Sequence, residues 1–248
     1  MSFDPSEFGI PVGAGNEWGP NMYQCGYVQA KEVRKLAVGL DLASRNDYPA
    51  VAVVESIEEP EFDAAGAPVL DNLRQRLMPA RYEVRNLRRL ARGTSYLPII
   101  AEVGRLMSHP DLAGATLCVD RNGVGDVFFD LLVAANFKNL MAVVTTGSTN
   151  REKRIDDGSG FSVGKQQLVN ALQAVLQTGR LKVARDGEFT KEFMEELRAF
   201  SVTVSDRGHA SYAAAGSAKD DLVMACAYGL FPLYPRKMGA WTSESLSL

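Results

Sequence analysis

Short apolar runs and amphipathic stretches alternate along most of the chain. Two apolar runs, KLAVGLDLA at 35–43 and AVAVVES at 50–56, flank a polar segment of turn residues, which predicts a β-hairpin. A third strand is predicted within 76–87. Helical spacing and buried-strand patterns then alternate: a helix at 95–109, a strand at 115–120, a helix at 126–136, a strand at 140–147, a helix at 165–179, a short strand at 180–184, a helix at 189–200 and a hairpin at 200–214.

This order of elements predicts an α/β domain with one mixed sheet and helices on both of its faces. The hairpin and the third strand form the antiparallel side, and the later strands, separated by helices, form the parallel side. We expect about five strands, with Asp41 on a middle strand. The domain is predicted to span 31–234, after an extended arm at 1–30 that is rich in Gly, Pro and Asn, and before a tail at 235–248.

The segment AKDDLVMACAYGL at 218–230 places two aspartates directly before a long apolar run. A helix made from this run is buried on nearly all sides, where an uncompensated carboxylate is costly. Asp41 and Asp120 each end a predicted strand, so parallel pairing of those strands brings them to one edge of the sheet, within reach of Asp221. Carboxylates without a histidine or thiol suit hard cations, Mg²⁺ or Mn²⁺, and two such ions suit phosphoryl transfer.

Asp220 has two possible roles. SAKD at 217–220 fits a capping box, with Ser217 as the N-cap and Asp220 three residues further on. The alternative is that Asp220 is another metal ligand. Asp221 has no capping role in this arrangement and is therefore the better candidate ligand of the two.

The chain has 248 residues, an ordinary globular composition and a net charge of −3. Without a signal peptide or a membrane-spanning apolar stretch, we expect a cytoplasmic protein with no membrane partner. Two histidines and three cysteines without motif spacing argue against zinc. Residues 74–92 nevertheless hold seven arginines and one acidic residue. They form either a solvated face or a phosphate-contacting strip, and the candidate DNA contacts are Arg81, Arg85, Arg88, Arg89 and Lys165.

Three segments resemble, in this order, the nuclease domain of tailed-phage large terminases: GLDLASRNDYPAVAVVE, CVDRNGVGDVFFDLL and GSAKDDLVMACAYGL. KQQLVNALQAVLQTGRLKV resembles the same family, and the resemblance covers 35–230. It implies an RNase H-like fold and a metal-dependent endonuclease that cuts double-stranded DNA with two divalent ions during genome packaging. The family's acids fall at Asp41, Asp120, Asp220 and Asp221. The implied partners are double-stranded DNA and a separate ATPase motor, a small terminase subunit or a portal, in the host cytoplasm.

Large terminases also carry an ATPase motor before the nuclease. The stretch here that most resembles a Walker A loop, GSGFSVGKQ at 158–166, lacks its first glycine and its Ser/Thr. We therefore expect that this polypeptide does not hydrolyse ATP. It would then be an excised domain, a split-gene subunit or a stand-alone protein.

Other functions have weaker support in the sequence. GFSVG at 160–164 matches a nucleophile elbow, with Ser162 as the nucleophile and His209 as the base, but a polar loop is predicted before it. The turn at 120–125 has two glycines of the dinucleotide-binding pattern and lacks the third. The remaining alternatives on the same fold are a non-catalytic DNA-binding or motor-docking module, a junction resolvase and an RNA:DNA-hybrid nuclease.

Overall fold

The structure, a computed structural model, describes residues 31–42, 48–71, 74–147, 152–204, 210–214 and 219–235. The predicted arm and the tail from residue 236 onwards lie outside the described residues, as does His209. The strands are β1 Val33–Asp41, β2 Ala50–Glu58, β3 Leu70–Asp71, β4 Arg74–Gln75, β5 Arg81–Arg89, β6 Thr116–Asp120, β7 Leu140–Thr146, β8 Lys153–Arg154, β9 Gly160–Gly164, β10 Leu181–Val183, β11 Phe200–Val204 and β12 Ala210–Ala214. The helices are α1 Tyr96–Met107, α2 Val124–Ala134, α3 Lys165–Gln177, α4 Thr190–Ala199 and α5 Asp221–Leu230.

Eight of the described strands form one mixed sheet in the order β10-β5-β2-β1-β6-β7-β9-β8. Strand β2 pairs antiparallel with both β1 and β5, whereas β1, β6, β7 and β9 form a parallel series. The predicted mixed sheet is confirmed, and β1 lies in its middle. The number of strands exceeds the expected five, because β10 adds to one edge and β9 and β8 add to the other. The predicted hairpin at 200–214 is a separate antiparallel pair, β11 and β12.

Strand β9 lies where the sequence pattern predicted only loop and motif residues. Its five residues, GFSVG, begin and end with glycine and carry serine in the middle, so they lack the usual density of β-branched and apolar residues. The pairing with β7 requires glycine at its start. A Cβ on Gly160 would lie 1.8 Å from the carbonyl oxygen of Ala142.

Helices cover both faces of the sheet, as predicted. One face packs against α1 and α2 through a core that includes Val38, Leu40, Ile99, Val103, Phe128 and Leu132. The opposite face packs against α3, α4 and α5 through a core that includes Leu168, Leu172, Phe193, Leu222 and Cys226. Among the described residues, no helix has the length and apolar character needed to cross a membrane.

Residues 59–79 belong to a second compact unit. Within it, β3 and β4 form a two-residue antiparallel pair, an isolated bridge joins Pro60 to Leu77, and Arg76 forms an ion pair with Glu61. The third strand of the main sheet therefore begins at Arg81 and not at residue 76, since Leu77 pairs within this smaller unit.

Helix α5 lies directly on β1 at Gly39. A Cβ at this position would lie 2.0 Å from the carbonyl oxygen of Ala225 and 2.2 Å from the amide nitrogen of Gly229. Only glycine lets the buried helix approach the strand so closely.

Gly39→Ala should therefore lower the free energy of unfolding by at least about 3 kcal/mol, because backbone atoms cannot make room as a flexible side chain can. Thermal unfolding by circular dichroism measures the effect. Gly104→Ala is the control, since its Cβ would make only an ordinary 3.5 Å contact with Phe137. Equal unfolding temperatures for the two variants would contradict the close packing of α5 on β1.

Candidate metal centre

Asp41 and Asp120 lie side by side at the carboxyl ends of two parallel strands. Leu40 in β1 is the register partner of Val119 in β6, and each aspartate comes next in its strand. Neighbouring strands are about 4.8 Å apart. Leu40 and Val119 pack toward α1 and α2, so the alternation of side chains turns both aspartates toward the opposite face, where α5 lies.

Helix α5 brings two further carboxylates to this edge. Asp221 is its first residue and is only 3% exposed, and Asp220 directly precedes it. Because α5 is fixed on β1 at Gly39, its first turn lies near the end of that strand. The four candidate ligands predicted from the sequence, Asp41, Asp120, Asp220 and Asp221, thus lie near the same edge of the sheet, and their role as ligands stays a prediction.

The electrostatics of Asp41 show that the acids lie close enough to influence one another. The pKa of Asp41 is raised well above its usual value, first by burial and then by the negative charges of Asp120, Asp220 and Asp221, while Lys165 opposes the shift. Four carboxylates thus share one electrostatic environment, in which negative charge on Asp41 is disfavoured unless a cation compensates it.

Asp120 is held by two side chains that the sequence analysis did not identify. The Asn122 backbone N–H and side-chain amide donate to its Oδ1 at 3.1 and 2.9 Å, and the buried Tyr228 hydroxyl also donates to it. Burial raises the pKa of Asp120, and these hydrogen bonds and the Lys165 charge oppose that shift. Tyr228 is the one polar side chain of the apolar run at 222–230. A hydroxyl in such a run indicates a hydrogen-bond partner on the neighbouring element.

Lys165 lies next to these carboxylates. It is the first residue of α3, and its Nζ lies 3.0 Å from Oδ2 of Asp220. Lys165 was predicted as a DNA contact, a role that stays a prediction. In the structure it is a partner of a candidate metal ligand.

Asp221 has a cationic partner, Arg89. The Arg89 Nε donates to Oδ2 of Asp221 at 2.9 Å, and its Nη2 contacts Oε1 of Glu196 in α4. The Arg89 side chain is 14% exposed and that of Glu196 is 6% exposed. Arg89 was predicted as a DNA contact, and here it bridges two buried carboxylates of the protein.

Glu196, a residue of α4, caps the N-terminus of α5. Its Oε2 accepts hydrogen bonds from the backbone N–H groups of Leu222 and Val223 at 2.9 and 3.1 Å, the groups that an N-cap side chain normally satisfies. Burial raises the pKa of Glu196 to about 7, against the opposing effects of these hydrogen bonds and Arg89.

The predicted capping box is therefore wrong about Asp220. That residue is at the N-cap position and not three residues into the helix, and its side chain makes no capping hydrogen bond. Ser217 lies outside the described residues. Because Glu196 supplies the cap, neither Asp220 nor Asp221 is needed for it.

A β-bulge explains why Arg89 points into the cluster. In the β2–β5 pairing, Val54 is opposite Val84 and Val53 is opposite Asn86, so one residue of β5 is unpaired at Arg85. The bulge reverses the alternation of side chains beyond it. Leu87 then faces α5, as Arg89 does two residues later, whereas Arg88 faces α1.

The other candidate arginines of β5 each contact a carboxylate of the protein. Arg81 lies 3.0 Å from Glu83, and Arg88 lies 2.5 Å from Glu102 in α1. Arg85 contacts both Glu55, at 2.6 Å, and Glu83, at 2.9 Å. Their contact with DNA stays a prediction, and in the structure their charges are balanced within the protein.

The serine-hydrolase alternative has no support in the fold. Ser162 is the middle residue of β9 and not the tip of a strand-to-helix turn, which a nucleophile elbow requires. The glycines after Asp120 have a packing role. A Cβ on Gly125 would lie 2.1 Å from the Asp120 carbonyl oxygen, and Gly123 has a positive φ of 55°.

The donor set fits a hard divalent cation in its chemistry. All four candidate ligands are carboxylates, which Mg²⁺ and Mn²⁺ prefer, and the repulsion at Asp41 is of the kind that a cation relieves. Among the described residues, no three Asp, Glu, His or Cys side chains already converge as a metal site. Asp220 is turned to Lys165 and Asp221 to Arg89, so metal binding requires these side chains to adjust.

The raised pKa of Asp41 gives a stability prediction for the metal-free protein. The folded state holds the Asp41 proton more tightly than the unfolded state, so the ionised group lowers stability above its unfolded pKa of about 3.9. Asp41→Asn should raise the unfolding temperature in EDTA at neutral pH, and this gain should shrink toward zero as the pH falls below about 3.9. Thermal unfolding across this pH range, with the exposed Asp130→Asn as control, measures it. A gain independent of pH would contradict the electrostatic cause.

The order of strands in the mixed sheet, with acidic residues at the ends of β1 and β6, defines an RNase H-like fold. The profile of the terminase RNaseH-like domain family matches residues 38–232, and the chain belongs to this family. No curated protein matches the chain.

Three solved structures are similar to the chain in fold. The large terminase nuclease of thermophilic phage G20c is 20% identical with a TM-score of 0.52, and the alignment covers 82% of this chain and 83% of that one. The G20c nuclease with bound magnesium is 21% identical with a TM-score of 0.51, covering 79% and 80%. The nuclease domain of the Thermus phage P74-26 large terminase is 19% identical with a TM-score of 0.53, covering 82% of each chain.

Proposed function

We propose that the chain is a metal-dependent endonuclease that cleaves double-stranded DNA during phage genome packaging, by hydrolysis of phosphodiester bonds with two Mg²⁺ or Mn²⁺ ions. The observation that carries the proposal is the grouping of Asp41, Asp120, Asp220 and Asp221 at one edge of the sheet in a member of a terminase family. The magnesium bound to the G20c nuclease supports the choice of metal.

Asp41, Asp120 and Asp221 would hold the ions, with Asp220 as a further ligand. Bound divalent ions polarise the scissile phosphate and lower the pKa of an attacking water. The remaining residues orient the ligands. Asn122 and Tyr228 hold Asp120, and Arg89 holds one oxygen of Asp221.

We extend the proposal to the domain that carries the site and to its partners. Residues 31–234 would include the nuclease domain, and double-stranded DNA would be its substrate. A separate ATPase motor, a small terminase subunit or a portal would be its partners in packaging.

The test is a cleavage assay with the purified chain on supercoiled plasmid, branched DNA and an RNA:DNA hybrid. Plasmid should be nicked and linearised with Mn²⁺ or Mg²⁺ and remain intact in EDTA. Ca²⁺ should support little turnover, because its looser coordination does not impose the same geometry. Selective cutting of branched DNA or of the hybrid would favour the resolvase or hybrid-nuclease alternative. Binding of duplex without any cutting would favour a non-catalytic module.

A further inference from the structure

Three cationic side chains surround the ring of Tyr48. The Lys219 Nζ lies 3.7 Å from the ring centroid, and the guanidinium carbons of Arg89 and Arg92 lie 5.6 and 5.9 Å from it. All of these distances are within the range of a cation–π interaction.

This cluster lies beside the candidate metal centre. Tyr48 precedes β2, whose first residue, Ala50, pairs with Asp41 on one side and with Arg89 on the other. Lys219 directly precedes Asp220 in the chain. A backbone hydrogen bond of 2.8 Å from the Leu90 amide to the Pro49 carbonyl joins the start of β2 to the end of β5.

The three cations differ in their surroundings. Arg89 is bound to Asp221 and Glu196, so its charge is used within the protein. Lys219 has no carboxylate within ion-pair distance among the residues that the structure describes. Arg92 is exposed, just beyond the strand that carries the other arginines. Arg92 and Lys219 thus place positive charge on the rim of a carboxylate cluster, where an anionic ligand would be stabilised.

We propose that Tyr48, Arg92 and Lys219 form a contact site for the DNA phosphate backbone, next to the carboxylate cluster. The inference rests on the proposed nuclease function and names a part of its substrate-binding surface. It concerns residues outside β5, whereas Arg81, Arg85 and Arg88 lie within that strand.

The Tyr48 ring holds the head groups of Arg92 and Lys219 close together, against their mutual repulsion. Because cations already occupy the ring, Tyr48 supports phosphate contacts and not stacking on a base. Contacts of this kind carry no sequence information and depend strongly on salt. The site would hold the backbone beside the acids whatever the local base sequence.

The test measures binding of the full chain to a labelled duplex DNA in Ca²⁺ over a series of salt concentrations. Arg92→Gln with Lys219→Gln should weaken binding and reduce the slope of log K against log salt by about two, one for each phosphate that the variant no longer neutralises. Tyr48→Leu should also weaken binding, and Tyr48→Phe, which keeps the ring, should retain most of the affinity that Tyr48→Leu loses.

Lys138→Gln is the control for removal of a surface charge. Lys138 is exposed and lies two residues before β7, at the end of the parallel strands opposite to Asp120, so its replacement should leave the salt slope unchanged. Unfolding temperatures of all variants exclude a loss of fold. A parental slope for the double variant overturns the proposed contact, as does a parent that does not bind duplex DNA. A reduced slope in a chain that cuts no DNA overturns the nuclease function and leaves the contact standing.

Discussion

Asp41→Asn, Asp120→Asn and Asp221→Asn should each abolish cleavage of duplex DNA while the fold survives. Asparagine has nearly the same shape as aspartate but lacks the negative charge that holds a hard cation. The loss should exceed the roughly 10–100-fold that follows removal of a residue that only orients a metal ligand. Plasmid cleavage with Mn²⁺ and unfolding temperature in EDTA are the two measurements.

Asp130→Asn is the matched control, since Asp130 is exposed on α2. Ser162→Ala, in the middle of β9, should also cut normally. Any one of the three aspartate variants that cuts at the parental rate would remove that residue from the proposed ligands.

Asp220→Asn distinguishes two roles of Asp220, as a metal ligand and as the ion-pair partner of Lys165. Since Glu196 caps α5, we expect Asp220→Asn to lose cleavage as the other three variants do. A mild loss would leave Asp220 as the partner of Lys165 alone.

The acids of the site could be predicted because each lies at one end of a strongly apolar strand or helix. Asp41 and Asp120 end apolar strands, and Asp221 begins an apolar helix, so the elements and their parallel order determine where the side chains meet. The mixed sheet followed from the same patterns. Strand β9 did not, because its pairing with β7 depends on a close backbone approach at Gly160 that leaves no apolar signature.

The residues that support the acids were harder to predict. Glu196 lies three residues after the buried Phe193 of α4, on the helix face that packs against the core, so a carboxylate there was a detectable exception. Its partners were not predictable, because they come from α5 and β5. The direction of Arg89 depends on the bulge at Arg85, and a bulge changes which face a side chain occupies without changing the local composition.

Arg89 provides the second large expected effect. Arg89→Gln should lower the free energy of unfolding by about 3–5 kcal/mol, because it leaves Asp221 and Glu196 as buried carboxylates without their cation. Cleavage should fall as well, since Asp221 loses the group that orients it. Chemical denaturation at neutral pH measures the first effect, and plasmid cleavage measures the second.

Arg88→Gln is the neighbouring control, because Arg88 is on the other side of the strand in an exposed pair with Glu102. An exposed pair contributes about 0–1 kcal/mol, so its loss should barely change stability. Adding Asp221→Asn to Arg89→Gln should recover part of the lost stability, since one of the two unpaired carboxylates becomes neutral, but it should not recover cleavage. If Arg89→Gln instead keeps the parental stability and only flattens the salt dependence of DNA binding, Arg89 is a phosphate contact, as the arginine-rich sequence alone suggested.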